Sequence, residues 1–519
     1  MSLGCNTLLS YESPMNERRR SAFLSVFFGY SSLAISLARN ILLVPIYLRS
    51  IPLVEYGAWL ATGGALALML INDYGLSGVV TQRMSAHYGA GNFGSLGRLA
   101  GSALAIGTLL SIALSLVSLC CVPILPGLET LSPSQTHTVL ICFVIAIAAN
   151  ALGVIGATAA SVIRSLQRVV LGGSILLVAE VANVVVILLG LVAGYGLYSL
   201  AAGLLVRAAI LTFAGLVGVW FVCVRSLGVA VEIQGATVRD LIGESSRFFF
   251  SAVAVRLMAQ ANVFFAGWIL GPAIAAIYSL TVRAHETAVM LIISISGSLV
   301  PSITHLFGSG NFTRFRSVVL RLLVILAALT ALAMTITIIM NPAFLRLWVG
   351  KDAFAGQAVS ILMGAALFVS LIGGVAYDAL LAQGKFRLVS RFYVCSSLLQ
   401  VLLLTSLLRS GLWVAPLVTM ATVAVWGVGF WINVGRDIDI SRKEARGLIG
   451  ELVRIVVMSA AWIAAFDTFY PGANSWPALV AEGVVSALCV SASYLVISPR
   501  LRDIVRDEIG TTLRAFRAA

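Results

Sequence analysis

Fourteen stretches of predominantly apolar residues recur along this 519-residue chain, at 22–48, 54–81, 97–121, 138–161, 170–193, 197–222, 248–270, 273–300, 318–340, 357–381, 389–409, 411–433, 449–469 and 477–497. At about 1.5 Å of rise per residue, a helix of roughly 20 residues crosses the hydrocarbon layer of a bilayer. Backbone groups in lipid must pair within their own segment, so each stretch reads as a helix and not a strand. Turn signals and charges close the stretches: Pro123 and Pro126 after the third, Asn341-Pro342 after the ninth, Ser410-Gly411 between the eleventh and twelfth. Composition closes the alternative. Sixty per cent of the chain is apolar and 11% is charged, against about 25% charged in a soluble domain, which leaves too little polar surface to wrap a water-soluble globule. The expected fold class is all-α, a polytopic membrane protein with about 14 transmembrane helices. The seven cysteines form no CxxC pair and fall mostly inside apolar runs, so they imply neither a zinc site nor a disulfide framework. Arg18–Arg20 precede a run long enough to span, with no small-residue cleavage site, so no cleavable signal peptide is expected.

The charges then orient the helices. With the N-terminus cytoplasmic, both tails and the even-numbered loops, taken with the run ends that flank them, hold 26 of the 34 Lys and Arg residues, the opposite side holds four (Arg49, Arg346, Lys351 and Arg409), and four lie deep inside the apolar runs. A 26-to-4 split over fourteen helices follows the positive-inside rule and places both termini in the cytoplasm. The same rule accounts for the net charge of +13 without invoking nucleic acid, and no nucleic-acid partner is expected.

An internal repeat organises the chain. GAGNF at 89–93 returns as GSGNF at 308–312; Arg164-Ser165-Leu166-Gln167-Arg168 is echoed by Gln383-Gly384-Lys385-Phe386-Arg387; Tyr195-Gly196-Leu197-Tyr198 is echoed by Ser410-Gly411-Leu412-Trp413. Three matches in order, in equivalent loops, point to a duplicated six-helix lobe. Six helices per lobe give the two halves the same orientation, as in parallel repeats. The expected organisation is a cytoplasmic tail 1–21, an N-lobe 22–222, a cytoplasmic interfacial linker 223–247, a C-lobe 248–433, an appended helix pair 434–497 and a cytoplasmic amphipathic tail 498–519. Val238, Leu241 and Ile242 share one face of the linker, and Leu501, Ile504, Val505, Ile509, Leu513 and Phe516 share one face of the tail, as suits segments lying on membrane lipids.

Ionisable groups at bilayer depth carry the chemistry. A central Arg costs roughly 2.5–3.5 kcal/mol on insertion scales unless it faces water or a partner. The four are Arg39 in helix 1, Arg207 in helix 6, Arg256 in helix 7 and Arg283 in helix 8. Arg39 and Arg256 are 217 residues apart and so occupy equivalent places in the two lobes. Guanidinium forks match phosphate oxygens in pairs, and all four are candidates for binding a pyrophosphate. The bland alternative is neutralisation within a lobe: Arg283 has Glu286 at i+3, and Arg207 has Glu180 in the preceding helix, whereas the helices of Arg39 and Arg256 hold no acid. Glu180, Glu286, Asp73 and Asp378 are the candidates for ion coupling, with inter-helix hydrogen bonding the commoner use of Asp73 and Asp378. His285 and His305 carry the chemistry of proton shuttles, although a lone histidine is more often structural. No P-loop occurs, since Gly384-Lys385 lacks the glycine five residues earlier, and Asp437-Ile438-Asp439 sits in a short loop with no soluble domain around it. No catalytic residues, metal site or cofactor are expected, and the chain reads as a transporter, not an enzyme.

Fourteen helices in two lobes plus a pair, the buried arginines, and the stretch from Leu43-Val44-Pro45-Ile46-Tyr47-Leu48 through Glu55-Tyr56-Gly57-Ala58-Trp59 to Asp73-Tyr74-Gly75-Leu76 together resemble the polysaccharide transporter family of the multidrug/oligosaccharidyl-lipid/polysaccharide (MOP) superfamily, the O-antigen and exopolysaccharide flippases. The resemblance implies alternating access in the bacterial inner membrane, with an undecaprenyl-pyrophosphate-linked oligosaccharide as the partner. It implies a coupling ion, H+ or Na+, or the membrane potential as driving force, and glycan polymerase and co-polymerase proteins as candidate partners. Carried onto this sequence, Arg39, Arg256 and Arg283 would receive the pyrophosphate. A lipid II flippase shares that anion logic. A multidrug antiporter would want acids where helices 1 and 7 carry arginines, and a membrane-embedded glycan polymerase or ligase would need a larger outer loop.

Overall fold

The computed structural model describes residues 27–28, 31–32, 34–69, 76–120, 122, 131–469 and 472–507. Among these residues there is no strand. The helices run α1 (34–42), α2 (Val44–Ser50), α3 (Leu53–Met69), α4 (Leu76–Gly89), α5 (Phe93–Cys120), α6 (Pro133–Ser165), α7 (Val169–Val192), α8 (Leu197–Trp220), α9 (Gly235–Ile269), α10 (Pro272–Gly308), α11 (Phe312–Trp348), α12 (Gln357–Ala382), α13 (Phe386–Leu407), α14 (Val414–Asp437), α15 (Arg442–Phe469), α16 (Trp476–Ile497) and α17 (499–507). Twelve helical segments, drawn from α5 to α16, are each long and apolar enough to cross a membrane among the described residues. These twelve coincide with the third to fourteenth apolar runs of the sequence. The protein is a multi-pass all-α membrane protein.

Chain contacts divide the molecule into two compact units, the first comprising Met1–Ser50, Asn72–Val122 and Leu140–Ser246, the second Ile51–Ile71, Pro123–Val139 and Arg247–Ala519. In the first unit α1 bends into α2 at Leu43 because Pro45 has no N–H to return to Ile41. Small residues set the approach of α7 to α8: a Cβ on Gly203 would lie 2.5 Å from Ile187 Cγ1 and 2.6 Å from Asn183 Oδ1. Close backbones of this kind are what membrane helices use in place of a hydrophobic driving force. The core of this unit gathers Leu96, Leu99, Val162, Ile163 and Val222 under Leu241 at the start of α9. Val238 also packs onto that core while Ile242 is exposed, and from Gly235 the linker helix runs without a break into the α9 span.

In the second unit α11 is the most buried span and α15 and α16 the least, the latter pair leaning on α11. Their attachment is polar as well as apolar: Tyr494 Oη contacts Thr335 Oγ1 at 3.4 Å, Trp462 Nε1 donates to Ser493 Oγ at 3.1 Å, and Arg346 donates to the Ala473 carbonyl and, at 3.1 Å, to Asn474 Oδ1. α12 and α14 pack through Gly373 and Gly427, with Trp426 closing over the contact. α3 belongs to this unit and lies along α10. Leu501 of α17 is buried and Ile504 and Val505 join the core, while Arg502 and Arg506 are exposed, so the apolar face of this segment packs on the protein itself. Its remaining tail residues, Ile509, Leu513, Arg514, Phe516 and Arg517, lie outside the described residues.

The repeat is visible in the turns. Gly91 and Gly310 adopt φ values of 70° and 73°, each followed by an amide that reaches back five residues, Asn92 to His87 and Asn311 to Leu306. The flanking aromatic pairs, Tyr88–Phe93 and Phe307–Phe312, both meet edge to face. Gln167 and Gly384 likewise share a positive φ at the α6–α7 and α12–α13 turns, as do Gly196 and Gly411 at the α7–α8 and α13–α14 turns. At the first two pairs of turns a left-handed residue ends the helix in one step, at corresponding places in both halves, whereas Gly196 (φ 52°, ψ −126°) and Gly411 (φ 141°, ψ 161°) share only the sign of φ.

Candidate functional site

Each unit carries its own charged centre at mid-span. In the first, Glu180 is held in the middle of α7 with its side chain 5% exposed, and it accepts from two guanidiniums: Arg39 Nη1 at 3.2 Å and Arg207 Nε at 2.7 Å. The side chains of Arg39 and Arg207 are 23% and 29% exposed, so both reach solvent-accessible surface while touching the buried acid. Asn183, one turn beyond Glu180, completes the group. In the amide orientation that satisfies its neighbours it accepts from Arg39 and donates to the Gly203 carbonyl at 3.2 Å. Gly203 is therefore required twice, for the helix approach and for the room that Asn183 occupies. Two guanidiniums sharing one carboxylate keep a formal charge of +1 within an apolar segment. A charge left over in this way favours an anionic ligand with paired oxygens.

Arg207–Glu180 was legible as a candidate pair; the Arg39–Glu180 contact, between residues 141 apart, was not. No local spacing links α1 to α7. The signal available was the scarcity of acids in the apolar runs, which leaves few carboxylates for any buried guanidinium to find.

The second unit places Arg256 and Arg283 differently. Arg256, in α9, is exposed and makes no hydrogen bond or ion pair among the described residues. The second half does not repeat the acid: an offset of 217 carries Glu180 to Ser397, a buried residue of α13. Arg283, in α10, is half-buried; its Nη2 donates to Ser279 Oγ at 3.1 Å and its Nε is buried without a partner. Glu286 is exposed on the same helix and lies within electrostatic reach of Arg283, yet the i+3 ion pair does not form. Tyr56 of α3 also sits in the field of Arg283. Within this unit a guanidinium and a carboxylate thus lie near one another without forming an ion pair, beside a buried phenol.

The other acids and histidines are distributed around these centres. Asp378 accepts from Ser296 Oγ at 3.1 Å, bridging α12 to α10. Asp73 lies outside the described residues. His285 is fully buried and neither ring nitrogen makes a hydrogen bond, its approach to the Thr281 carbonyl falling short of one, while His305 is exposed. A network of neutral side chains that sequence reading did not single out crosses α9, α10, α13 and α14: Asn262 Nδ2 donates to Tyr278 Oη at 2.9 Å and to Thr419 Oγ1 at 2.7 Å, and Gln400 Nε2 donates to Asn262 Oδ1 at 3.3 Å. At the ends of the helices Asp437 pairs with Lys385, Arg83 with Glu244 and Arg316 with Glu444. No group of three metal-binding side chains occurs among the described residues.

The family model described as polysaccharide biosynthesis protein matches residues 28–307, which is 280 of the 519 residues. The chain belongs to the polysaccharide biosynthesis protein family. A second model, MatE, matches residues 248–405. No curated protein sequence matches the chain. Among solved structures, the lipid II flippase MurJ in an inward closed conformation superposes with a TM-score of 0.69 at 13% identity, covering 93% of this chain and all of that one. An inward-facing multidrug resistance MATE family transporter of the MOP superfamily gives 0.60 at 11% identity, over 79% of this chain and 94% of that one. A MOP superfamily transporter from Pyrococcus furiosus, titled for the reverse polarity of its binding pocket, gives 0.55 at 12% identity, over 82% and 96%. The family member described here therefore has the fold seen in these solved transporters and flippases.

Proposed function

We propose that this protein is a flippase that carries an undecaprenyl-pyrophosphate-linked oligosaccharide across the bacterial inner membrane by alternating access, for O-antigen or exopolysaccharide synthesis. The observation that carries the reading is the Arg39–Glu180–Arg207 group, whose formal charge of +1 sits in mid-span with both guanidiniums accessible. Arg256, with no partner among the described residues, and Arg283, with an unsatisfied Nε, support it from the second unit. A polyprenyl chain partitions into lipid unaided; its pyrophosphate and sugars do not, and fixed positive groups must take over from the water they lose. Arg39, Arg207, Arg256 and Arg283 bind the pyrophosphate in this reading. Glu286, whose charge is not locked in an ion pair, is the foremost candidate for coupling to an ion gradient, with Glu180, Asp73 and Asp378 behind it. The six-helix lobes 22–222 and 248–433 are the moving parts, both termini are cytoplasmic, and a glycan polymerase and co-polymerase receive the product.

The likeness to MurJ favours one second reading, lipid II as cargo, because that substrate also presents a pyrophosphate on a polyprenyl chain. A cationic drug suits the centre poorly, since the excess charge there has the wrong sign. The test is a reconstitution in vesicles loaded with a fluorescent undecaprenyl-pyrophosphate oligosaccharide, with enzymatic accessibility of the sugar as the readout. Protein-dependent transfer that Arg39→Ala and Arg256→Ala abolish supports the proposal. Transfer unchanged in both variants, or transfer of lipid II alone, overturns it.

A further inference from the structure

A second charged feature lies away from mid-span, where α11 and α15 begin and α17 follows α16, on one side of the membrane. The first turns of α11, the first turns of α15 and α17 enclose an open recess of about 480 Å3, within the roughly 300–1,000 Å3 range of small-ligand sites. Six charged side chains line it, three Arg and three acids, and four of them are spoken for: Arg316 pairs with Glu444, and Arg321 with Asp507 at 3.5 Å. The remaining two are Arg500 and Asp503. They sit one turn apart on α17, are not bonded to one another, and make no ion pair among the described residues. Arg500 is half-buried with its guanidinium over Gly447, which has no side chain to displace it. The apolar wall is formed by Leu320, Val324, Leu448 and Ile504.

A positive and a negative group, each unpaired and about one helical turn apart, match a ligand that carries both charges on a short linker. The apolar side chains beside them match a ligand attached to acyl chains. The helix ends place the recess at the depth where lipid headgroups lie. We propose that this recess binds a zwitterionic phospholipid headgroup of the phosphoethanolamine type, with the phosphate on Arg500 and the ammonium on Asp503. A singly anionic headgroup offers nothing to Asp503 and is repelled by it. A trimethylammonium has no N–H to donate to the carboxylate. The site is separate from the mid-span arginines and does not depend on the cargo assigned to them.

The full-length protein, delipidated in detergent and titrated with phosphatidylethanolamine, phosphatidylglycerol or phosphatidylcholine of matched chains, reports the preference by native mass spectrometry of the retained lipid. The expected result is about fivefold more phosphatidylethanolamine retained than either of the others, falling about tenfold in Arg500→Gln. Asp503→Asn is expected to erase the discrimination against phosphatidylcholine, and Asp503→Arg to turn the preference towards phosphatidylglycerol. Both substitutions lie on an exposed face, so an unchanged elution profile shows that the variants remain folded. Equal retention of the three lipids by the parent, or a preference that survives Asp503→Asn and Asp503→Arg, overturns the proposal. So does a preference that appears only when residues beyond Asp507 are removed, because the chain's own C-terminal segment would then be the occupant.

Discussion

Glu180→Gln is the most informative single change in the mid-span centre. The carboxylate accepts from Arg39 at 3.2 Å and from Arg207 at 2.7 Å with only 5% of its side chain exposed. At an effective dielectric of about 20, each unit pair near 4 Å is attracted by about 4 kcal/mol before desolvation is counted. Gln keeps the shape, removes both attractions and turns an amide N–H towards a guanidinium, while the formal charge of the group rises from +1 to +2. Losing one member of a buried pair costs about 3–5 kcal/mol. Arg39 and Arg207 are partly accessible, so water recovers some of this, and a loss of about 3 kcal/mol is expected. By the scaling for units of 150–250 residues, that lowers the thermal midpoint by roughly 6–12 °C, read by scanning fluorimetry of the detergent-solubilised protein. Arg207→Met is the control with the opposite charge consequence. It leaves a neutral Arg39–Glu180 pair and is expected to cost less than about 1 kcal/mol, yet to remove transport with the excess charge. A Glu180→Gln midpoint within about 1 °C of the parent, or an Arg207→Met midpoint that falls as far as Glu180→Gln, would refute the shared-carboxylate account.

Three further outcomes are expected. Arg256→Ala leaves the thermal midpoint unchanged or raises it, because no partner among the described residues is left behind and an unmatched Arg at mid-span is itself costly, but abolishes export of surface polysaccharide; export at the parental level counts against a role for this residue. Glu286→Gln flattens the dependence of transport on external pH in membrane vesicles, whereas a variant that tracks the parent across the range separates this carboxylate from coupling. Gly203→Ala drives a methyl group into Ile187 and Asn183 and is expected to cost about 1–3 kcal/mol by overpacking, with a paired fall in transport as Asn183 is pushed off Arg39; circular dichroism melts and the vesicle assay check the two effects separately.

The features legible in the sequence are those that depend on solvent and on local geometry. The apolar runs from 97–121 onwards become helices because lipid leaves the backbone no other partner, and two of the three duplicated turns fold alike because each places one left-handed residue at the end of a helix. The resemblance quoted around Pro45 and Tyr56 lies within residues 28–307, which the polysaccharide biosynthesis protein family model matches. What could not be read was which helices meet. Nothing in residues 54–69 marks them as neighbours of α10, save a glycine, Gly57, whose missing side chain admits the Pro272 carbonyl. The i+3 spacing of Arg283 and Glu286 suggested an ion pair, but spacing fixes only the shared face of a helix and not the rotamers, and Ser279, a turn earlier, takes the guanidinium instead.

The duplication itself supplies the last step. Equivalent positions for Arg39 and Arg256 suggested equivalent surroundings, and the structure gives them unlike ones: one shares a buried acid, the other pairs with none among the described residues. A pair of lobes built only for stability would keep the acid in both halves or lose the arginine from the second. Insertion scales put the cost of an unmatched Arg at mid-span at roughly 2.5–3.5 kcal/mol. A chain that retains Arg256 without a carboxylate is accommodating that cost, which a bound phosphate would offset during transport. Restoring the symmetry tests this directly. Ser397→Glu supplies an acid at the position the repeat assigns to Glu180, and is expected to leave the fold intact while reducing affinity for the pyrophosphate lipid about tenfold. Affinity that does not change with the added carboxylate would mean that the lone arginine has some other use.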